Sequence, residues 1–112
     1  MDNRRNKNSV KKRRAGNLMA KIARRADDRF EIEQDGHTSY LAYEADGQGW
    51  ISLLYTEVAE PLRGRGLAKD LARMAFEYAK ENRLKVEVVC PVAFHVALNH
   101  PEYKSLVSIR HR

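Results

Sequence analysis

The stretch Thr56-Glu57-Val58-Ala59-Glu60-Pro61-Leu62-Arg63-Gly64-Arg65-Gly66-Leu67-Ala68 decides how this chain folds. Apolar residues run from Trp50 to Val58 as a strand, and Pro61 marks its exit because proline cannot donate to a central ladder. After Gly66, Leu67, Leu71, Met74, Ala75 and Tyr78 recur at three- and four-residue steps, the pattern of an amphipathic helix over 66–81. Strand, glycine turn and helix in that order place unpaired amides and the positive end of a helix dipole at Arg63–Ala68. Gly64 and Gly66 tolerate positive φ, and Arg63 and Arg65 can add charge-assisted bonds. A pyrophosphate is the expected guest of such a turn, although a loop with solvated arginines fits the same residues. The spacing is neither the three-glycine dinucleotide pattern nor a P-loop, since no Gly-Lys-Ser/Thr ends it.

Upstream, Phe30, Ile32 and Gln34 alternate with Glu31 and Glu33, a half-buried strand. Asp35-Gly36 signals a hairpin, and a second strand spans about Thr38–Glu44, with Tyr40 and Ala42 on one face and Leu41 and Tyr43 on the other. Asp46-Gly47-Gln48-Gly49 turns the chain into the third strand. Downstream, Asn82 stops the helix and the valine-rich run Leu84–Cys90 reads as a buried strand. Pro91 opens a second helix to about Asn99, and Pro101 precedes a last short turn over 102–107. The sum is an α+β fold: three antiparallel strands, a crossover helix, a parallel fourth strand and a C-terminal helix.

The 112 residues suit one domain, here 27–112, preceded by a basic arm over 1–26. Residues 1–25 hold ten Lys and Arg against Asp2 alone, which leaves eleven basic residues and fourteen acids for the rest. The net charge of +6 therefore belongs to the arm, and the body is mildly acidic. Residues 1–14 have too few apolar side chains to offset the cost of ordering. Leu18, Met19, Ile22 and Ala23 fall at helical spacing, so a short helix over 16–26 is expected, with Asn17 as its cap. Lys and Arg in 3–14 suit sequence-blind contact with nucleic acid, while the lack of interleaved aromatics argues against base stacking. A solvated, solubilising tail or an organellar targeting segment are the other readings of the arm. No run is long and apolar enough for a membrane span, and no charged start leads into an apolar block as in a secretory signal. Cys90 is the sole cysteine, which excludes an internal disulfide and a cysteine-rich metal site. A cytoplasmic protein without a metal is the expectation.

Four motifs in order carry a resemblance: Thr56-Glu57-Val58, Leu62-Arg63-Gly64-Arg65-Gly66, Cys90-Pro91 and His100-Pro101-Glu102-Tyr103. Arg63-x-x-Gly66-x-Ala68 also fits the Arg/Gln-x-x-Gly-x-Gly/Ala signature. On these residues, about Phe30–Val107, the chain resembles the GNAT acetyltransferase superfamily, in particular its minimal YjdJ-type branch. The resemblance implies acetyl-coenzyme A as cofactor, its pyrophosphate on Arg63, Gly64, Arg65, Gly66, Leu67 and Ala68 and its pantetheine arm along the strand end near Val58. It implies transfer of an acetyl group to an amine of a small molecule or a protein. Members often carry His before the Thr-Glu-Val triplet; here Tyr55 stands there, so no imidazole role passes to this position.

Such a transfer needs a proton acceptor for the amine, a polarised thioester and a proton for the departing thiolate. Glu57 ends the third strand and is the candidate acceptor. Cys90 stands before a helix start, where a thiolate is favoured, so an acyl intermediate is one reading and a small buried core residue the other. His95 and Tyr103 are candidate proton donors. His100 shapes a turn and His37 lies in a hairpin, while Phe76 and Phe94 read as packing residues. Two alternatives differ in class from an enzyme: a module of the same fold that senses coenzyme A or docks on nucleic acid without turnover, and a structural adaptor.

Overall fold

The computed structural model describes residues 21–110. The basic arm over 1–14, the first part of the expected 16–26 helix and Met19 lie outside the described residues. Five strands form one sheet in the order β1-β2-β3-β4-β5. They are β1 (Lys21–Arg25), β2 (Arg29–Gln34), β3 (His37–Ala45), β4 (Trp50–Glu57) and β5 (Lys85–Val88). The first four pair antiparallel, and β5 joins β4 in parallel through the helix α1 (Leu67–Glu81). Two short helices, α2 (Pro91–Leu98) and α3 (Pro101–Lys104), follow.

The antiparallel part obeys its turn residues. Asp35 and Gly36 both take positive φ, 53° and 77°, which is what a two-residue hairpin turn with right-handed strand twist requires. At the next turn the Asp46 carboxylate accepts the amides of Gln48 at 2.7 Å and Trp50 at 3.1 Å, holding the loop by its own side chain. α1 ends where expected: Asn82 caps it and donates its side-chain amide to the Tyr78 carbonyl at 2.8 Å.

The expected helix at 16–26 is corrected over its described part. Lys21–Arg25 is a strand on the free edge of β2, with all five residues exposed, Ile22 among them. A short helix with a weak apolar stripe is marginal alone, and the unpaired backbone of β2 offers a better set of partners. The edge is lined with charge rather than apolar surface. Arg24 donates to Glu31 at 2.7 Å and Glu33 at 3.3 Å, and Lys21 pairs with Asp70 of α1 at 2.9 Å.

One apolar core fills the side of the sheet that α1 covers. Phe30, Ile32, Leu41, Tyr43, Ile51, Leu53 and Val86 of the strands meet Leu67, Leu71, Ala72, Ala75, Phe76 and Ala79 of α1. Ala93, Val96 and Ala97 of α2 and Tyr103 of α3 join the same cluster, so the helices share one face of the sheet. Phe76 packs as expected, stacked on Tyr103 with ring centroids 5.0 Å apart. Phe94 does not: its side chain is exposed on α2, because the three core-facing positions of that short helix are already taken by Ala93, Val96 and Ala97.

Leu71 is fully buried against all of this, so Leu71→Ala is expected to cost about 2–5 kcal/mol in urea unfolding through lost burial and a residual cavity. Arg24→Ala on the exposed edge is expected to leave the urea midpoint nearly unchanged, since solvent screens its ion pairs.

Candidate functional site

The site begins where β4 and β5 part. Their parallel pairing ends at Leu53 and Val88. The Leu53 carbonyl then accepts both the Val89 amide at 2.9 Å and the Cys90 amide at 3.0 Å, and the chain turns directly into α2. On its other side β4 carries a register shift against β3: Tyr43 pairs with Leu53, but Ala42 pairs with Tyr55. Leu54 is the extra residue of a β-bulge. A bulge bends its strand, and an added residue exchanges the faces of all that follow. Thr56 is thereby turned to the core side, opposite buried Leu41, while Tyr55 and Glu57 face the other side.

Past Glu57 the chain is anchored by the Ala59 amide, which donates to the buried Ser39 hydroxyl at 3.0 Å. A 3₁₀ turn, Glu60–Leu62, leads into the glycines. Gly64 and Gly66 take φ of 86° and 80°. A Cβ at either would meet nothing within 4 Å, so the glycines are required by the left-handed backbone and not by crowding. The first helical bond of α1 runs from the Asp70 amide to the Gly66 carbonyl at 3.1 Å. The amides of Gly64 through Lys69 have no acceptor among the described residues, and no side chain caps the helix.

These amides border a cleft of about 390 Å³ between the start of α1 and the start of α2. Val58, Arg63, Gly64, Gly66, Leu67 and Ala68 form one wall, and Lys69 and the α2 residues Pro91, Val92 and His95 close it. No carboxylate is among the lining residues, whereas Arg63 and Lys69 bring positive charge. Aliphatic walls, unpaired amides and cations together suit a ligand with an apolar arm and a phosphate group.

The model of the GCN5-related N-acetyltransferase family matches residues 29–106, which cover the sheet from β2, the glycine turn, the cleft and α3. The chain belongs to that family. Protein NATD1 of Xenopus tropicalis is 42% identical over 63 residues, 54% of this chain and 58% of its own length. Protein NATD1 of Danio rerio is 37% identical over 78 residues, 66% of this chain and 71% of its own. The chain thus spans less than two thirds of the Xenopus relative. A GCN5-like protein from Staphylococcus aureus, solved by NMR, superposes with a TM-score of 0.61 over 87% of this chain and 95% of its own, at 24% identity, and shares the fold.

Within this acetyltransferase-family fold, the residues read from the sequence part into two groups. Val58, Arg63, Gly64, Gly66, Leu67, Ala68 and His95 line the cleft. Arg65 does not; its guanidinium donates to Asp35 at 3.0 Å, bracing the turn against the β2–β3 hairpin. Glu57 stands beside the cleft, on the opposite sheet face, 60% exposed and 3.8 Å from the Arg63 guanidinium. Arg63 also donates to the Val58 carbonyl at 3.2 Å, so one arginine touches both the strand end and the cleft. Cys90 is buried, its Sγ 3.2 Å from the Thr56 hydroxyl, and is not in the cleft lining.

Tyr103 is likewise outside the lining. Its hydroxyl donates to Glu77 at 2.7 Å. Burial first, and then that bond, push the phenol up to about 12. His100 Nδ1 donates to the Val96 carbonyl at 2.9 Å and the ring stacks on Tyr103, so it shapes the α2–α3 corner. Lys69, Pro91 and Val92 are the cleft residues that sequence reasoning passed over. Lys69 had a readable signal, a cation in the first turn after the glycines. The bulge at Leu54 had none, because it exists only in the pairing of β4 with β3.

The raised Tyr103 gives a pH test. A phenol whose folded value lies above its unfolded value of about 10 stabilises the fold fully below pH 10, and that contribution is lost as pH rises toward 12. In urea unfolding at a series of alkaline pH values, the wild type is expected to lose stability more steeply between about pH 10 and 12 than Tyr103→Phe, which has no proton to lose there.

Proposed function

We propose that this chain is an acetyl-coenzyme A-dependent N-acetyltransferase. The observation that carries the reading is the run of amides from Gly64 through Lys69, unpaired among the described residues, at a cleft with no carboxylate among its described lining. The amides of Gly64 to Ala68, with Arg63 and Lys69, would hold the pyrophosphate. The edge of β4 beyond Leu53, unpaired with β5 and leading into Val58, would receive the amide groups of the pantetheine arm, as a missing strand would. The bound cofactor supplies a thioester carbon that can accept an amine nitrogen.

Glu57 is the proposed proton acceptor. It is solvent-accessible, next in sequence to a cleft residue, and on the sheet face from which an amine can approach. Transfer forms the bond from nitrogen to the acetyl carbon and breaks the bond from that carbon to sulfur. The proton leaving nitrogen goes to Glu57, directly or through water, and the departing thiolate takes one from water or from His95 at the cleft wall. Cys90 has no chemical step in this scheme. Its buried thiol beside Thr56 fills the space where β4 and β5 separate.

A coenzyme A titration followed by NMR is expected to shift the amides of Gly64 to Ala68, and silence there would end the cofactor reading. With acetyl-coenzyme A and a panel of amines, Glu57→Gln is expected to lower kcat/KM by roughly a hundredfold, the lower end of what a positioned base contributes. Cys90→Ala is expected to keep turnover within a few fold; its loss together with a burst of acylated enzyme in the wild type would instead assign the thiol a covalent role. Binding of coenzyme A without turnover of any amine would leave a sensor in place of an enzyme.

A further inference from the structure

The sheet face opposite α1 has no helix over it among the described residues, because α1, α2 and Tyr103 of α3 all join the core on the other side. On this open face the register brings together side chains from three strands. Arg29 pairs with Ala42 and Glu31 with Tyr40 across β2 and β3, while Tyr40 pairs with Glu57 and Ala42 with Tyr55 across β3 and β4. The rings of Tyr40 and Tyr55 meet edge-on, with centroids 6.1 Å apart and planes at 74°. Tyr40 is half-buried and carries the Arg29 guanidinium over its ring at 4.4 Å. Arg29 and Arg24 are in turn held by Glu31, at 3.8 Å and 2.7 Å. Tyr40 is thus a fixed support with its cation already in place. Tyr55 is the open ring, 53% exposed, and the Glu57 carboxylate lies on the same face.

Three properties meet there. An accessible aromatic ring attracts an ammonium group through its quadrupole. A neighbouring carboxylate pairs with the same charge and can take a proton from it. The bulge at Leu54 turns both side chains to this face, and Glu57 adjoins the cleft through its neighbour Val58 and through Arg63, 3.8 Å away, both of which line it. We propose that Tyr55 and Glu57, supported by Tyr40, form the seat of the acceptor, and that this seat takes an unbranched primary alkylammonium. The assignment of the seat to an acceptor rests on the acetyltransferase reading. An uncovered face has no walls to enclose a compact molecule, but it admits the end of an alkyl chain, whether of a small amine or of a lysine in a polypeptide. A neutral arylamine gains neither the ring attraction nor the ion pair. Arg63 links the two faces. In the structure its guanidinium is 3.8 Å from Glu57, and engagement with a pyrophosphate would leave the carboxylate free for the incoming cation.

The test separates this seat from the cofactor site. Titration of the whole chain with n-butylammonium is expected to shift the ring resonances of Tyr40 and Tyr55, while aniline leaves them in place. Absence of ring shifts overturns the seat even where coenzyme A shifts the amides of Gly64 to Ala68, and ring shifts support it with or without turnover. In the acetylation assay, Tyr55→Ala is expected to raise KM for n-butylamine and for a lysine peptide roughly two- to fivefold, the weight of an exposed cation–ring contact. Tyr55→Phe keeps the ring and restores most of that affinity, and coenzyme A binding is the same in all three proteins. An unchanged KM in Tyr55→Ala, or preference for arylamines, overturns the proposal. A lower KM for the peptide than for n-butylamine assigns a polypeptide source of the amine, and the reverse assigns a small molecule.

Discussion

The carbonyl of Leu53 accepts two amides, those of Val89 and Cys90, and with that the parallel ladder of β4 and β5 stops. The cleft beside β4 depends on that parting. Had the ladder continued, the second half of β4 would be a paired central strand with no free edge. Instead β5 is only four residues long, and Pro91 starts a helix at the point where pairing would otherwise go on. Proline suits that place because the first amide of a helix has no internal partner to lose. The bulge at Leu54 lies on the other side of β4, in its pairing with β3.

The parting has to be maintained against the tendency of free strand edges to find partners. The core supplies the restraint. Cys90 packs against Thr56, and Ala93, Val96 and Ala97 dock α2 onto α1 with small side chains, so the helix approaches closely without filling the gap. At the far end, the Ala59 amide on Ser39 and the Arg65 guanidinium on Asp35 tie the connection after β4 to the β2–β3 hairpin. The glycine turn is therefore held by contacts from residues on both sides of it, while its own amides have no partner among the described residues. Preorganisation of this kind lowers the ordering cost a ligand would otherwise meet.

Most of this frame was legible in the sequence, for identifiable reasons. The strand alternation at Phe30, Ile32 and Gln34, the Asp35-Gly36 turn and the stripe from Leu67 to Tyr78 are local signals, and each corresponds to an element of the structure. What could not be read is decided by partners distant in sequence. Lys21–Arg25 is a strand because β2 has a free edge, not because of its own pattern. Phe94 is exposed because Ala93, Val96 and Ala97 form the buried face of α2 and Phe94 lies off it. The family resemblance pointed to Val58 and the glycine turn, but it could not distinguish Arg65, which braces a hairpin, from Arg63, which lines the cleft.

Glu57 shows how far one unseen residue can carry. Read as a simple alternation from Ile51 and Leu53, the side chains of Tyr55 and Glu57 would fall on the core side and Thr56 outside. The bulge reverses all three. Thr56 turns inward to meet the Cys90 thiol, and the carboxylate and the tyrosine ring turn outward onto the face opposite α1. A carboxylate turned inward beside Leu41 would be cut off from solvent and from Arg63. On the open face it keeps its solvent and its reach to Arg63. The extra residue thus does two things at once: it turns Thr56 inward beside the Cys90 thiol, and it delivers an ionisable group to the opposite face of the sheet. That division lets a chain this short present two approaches to one point between β4 and β5.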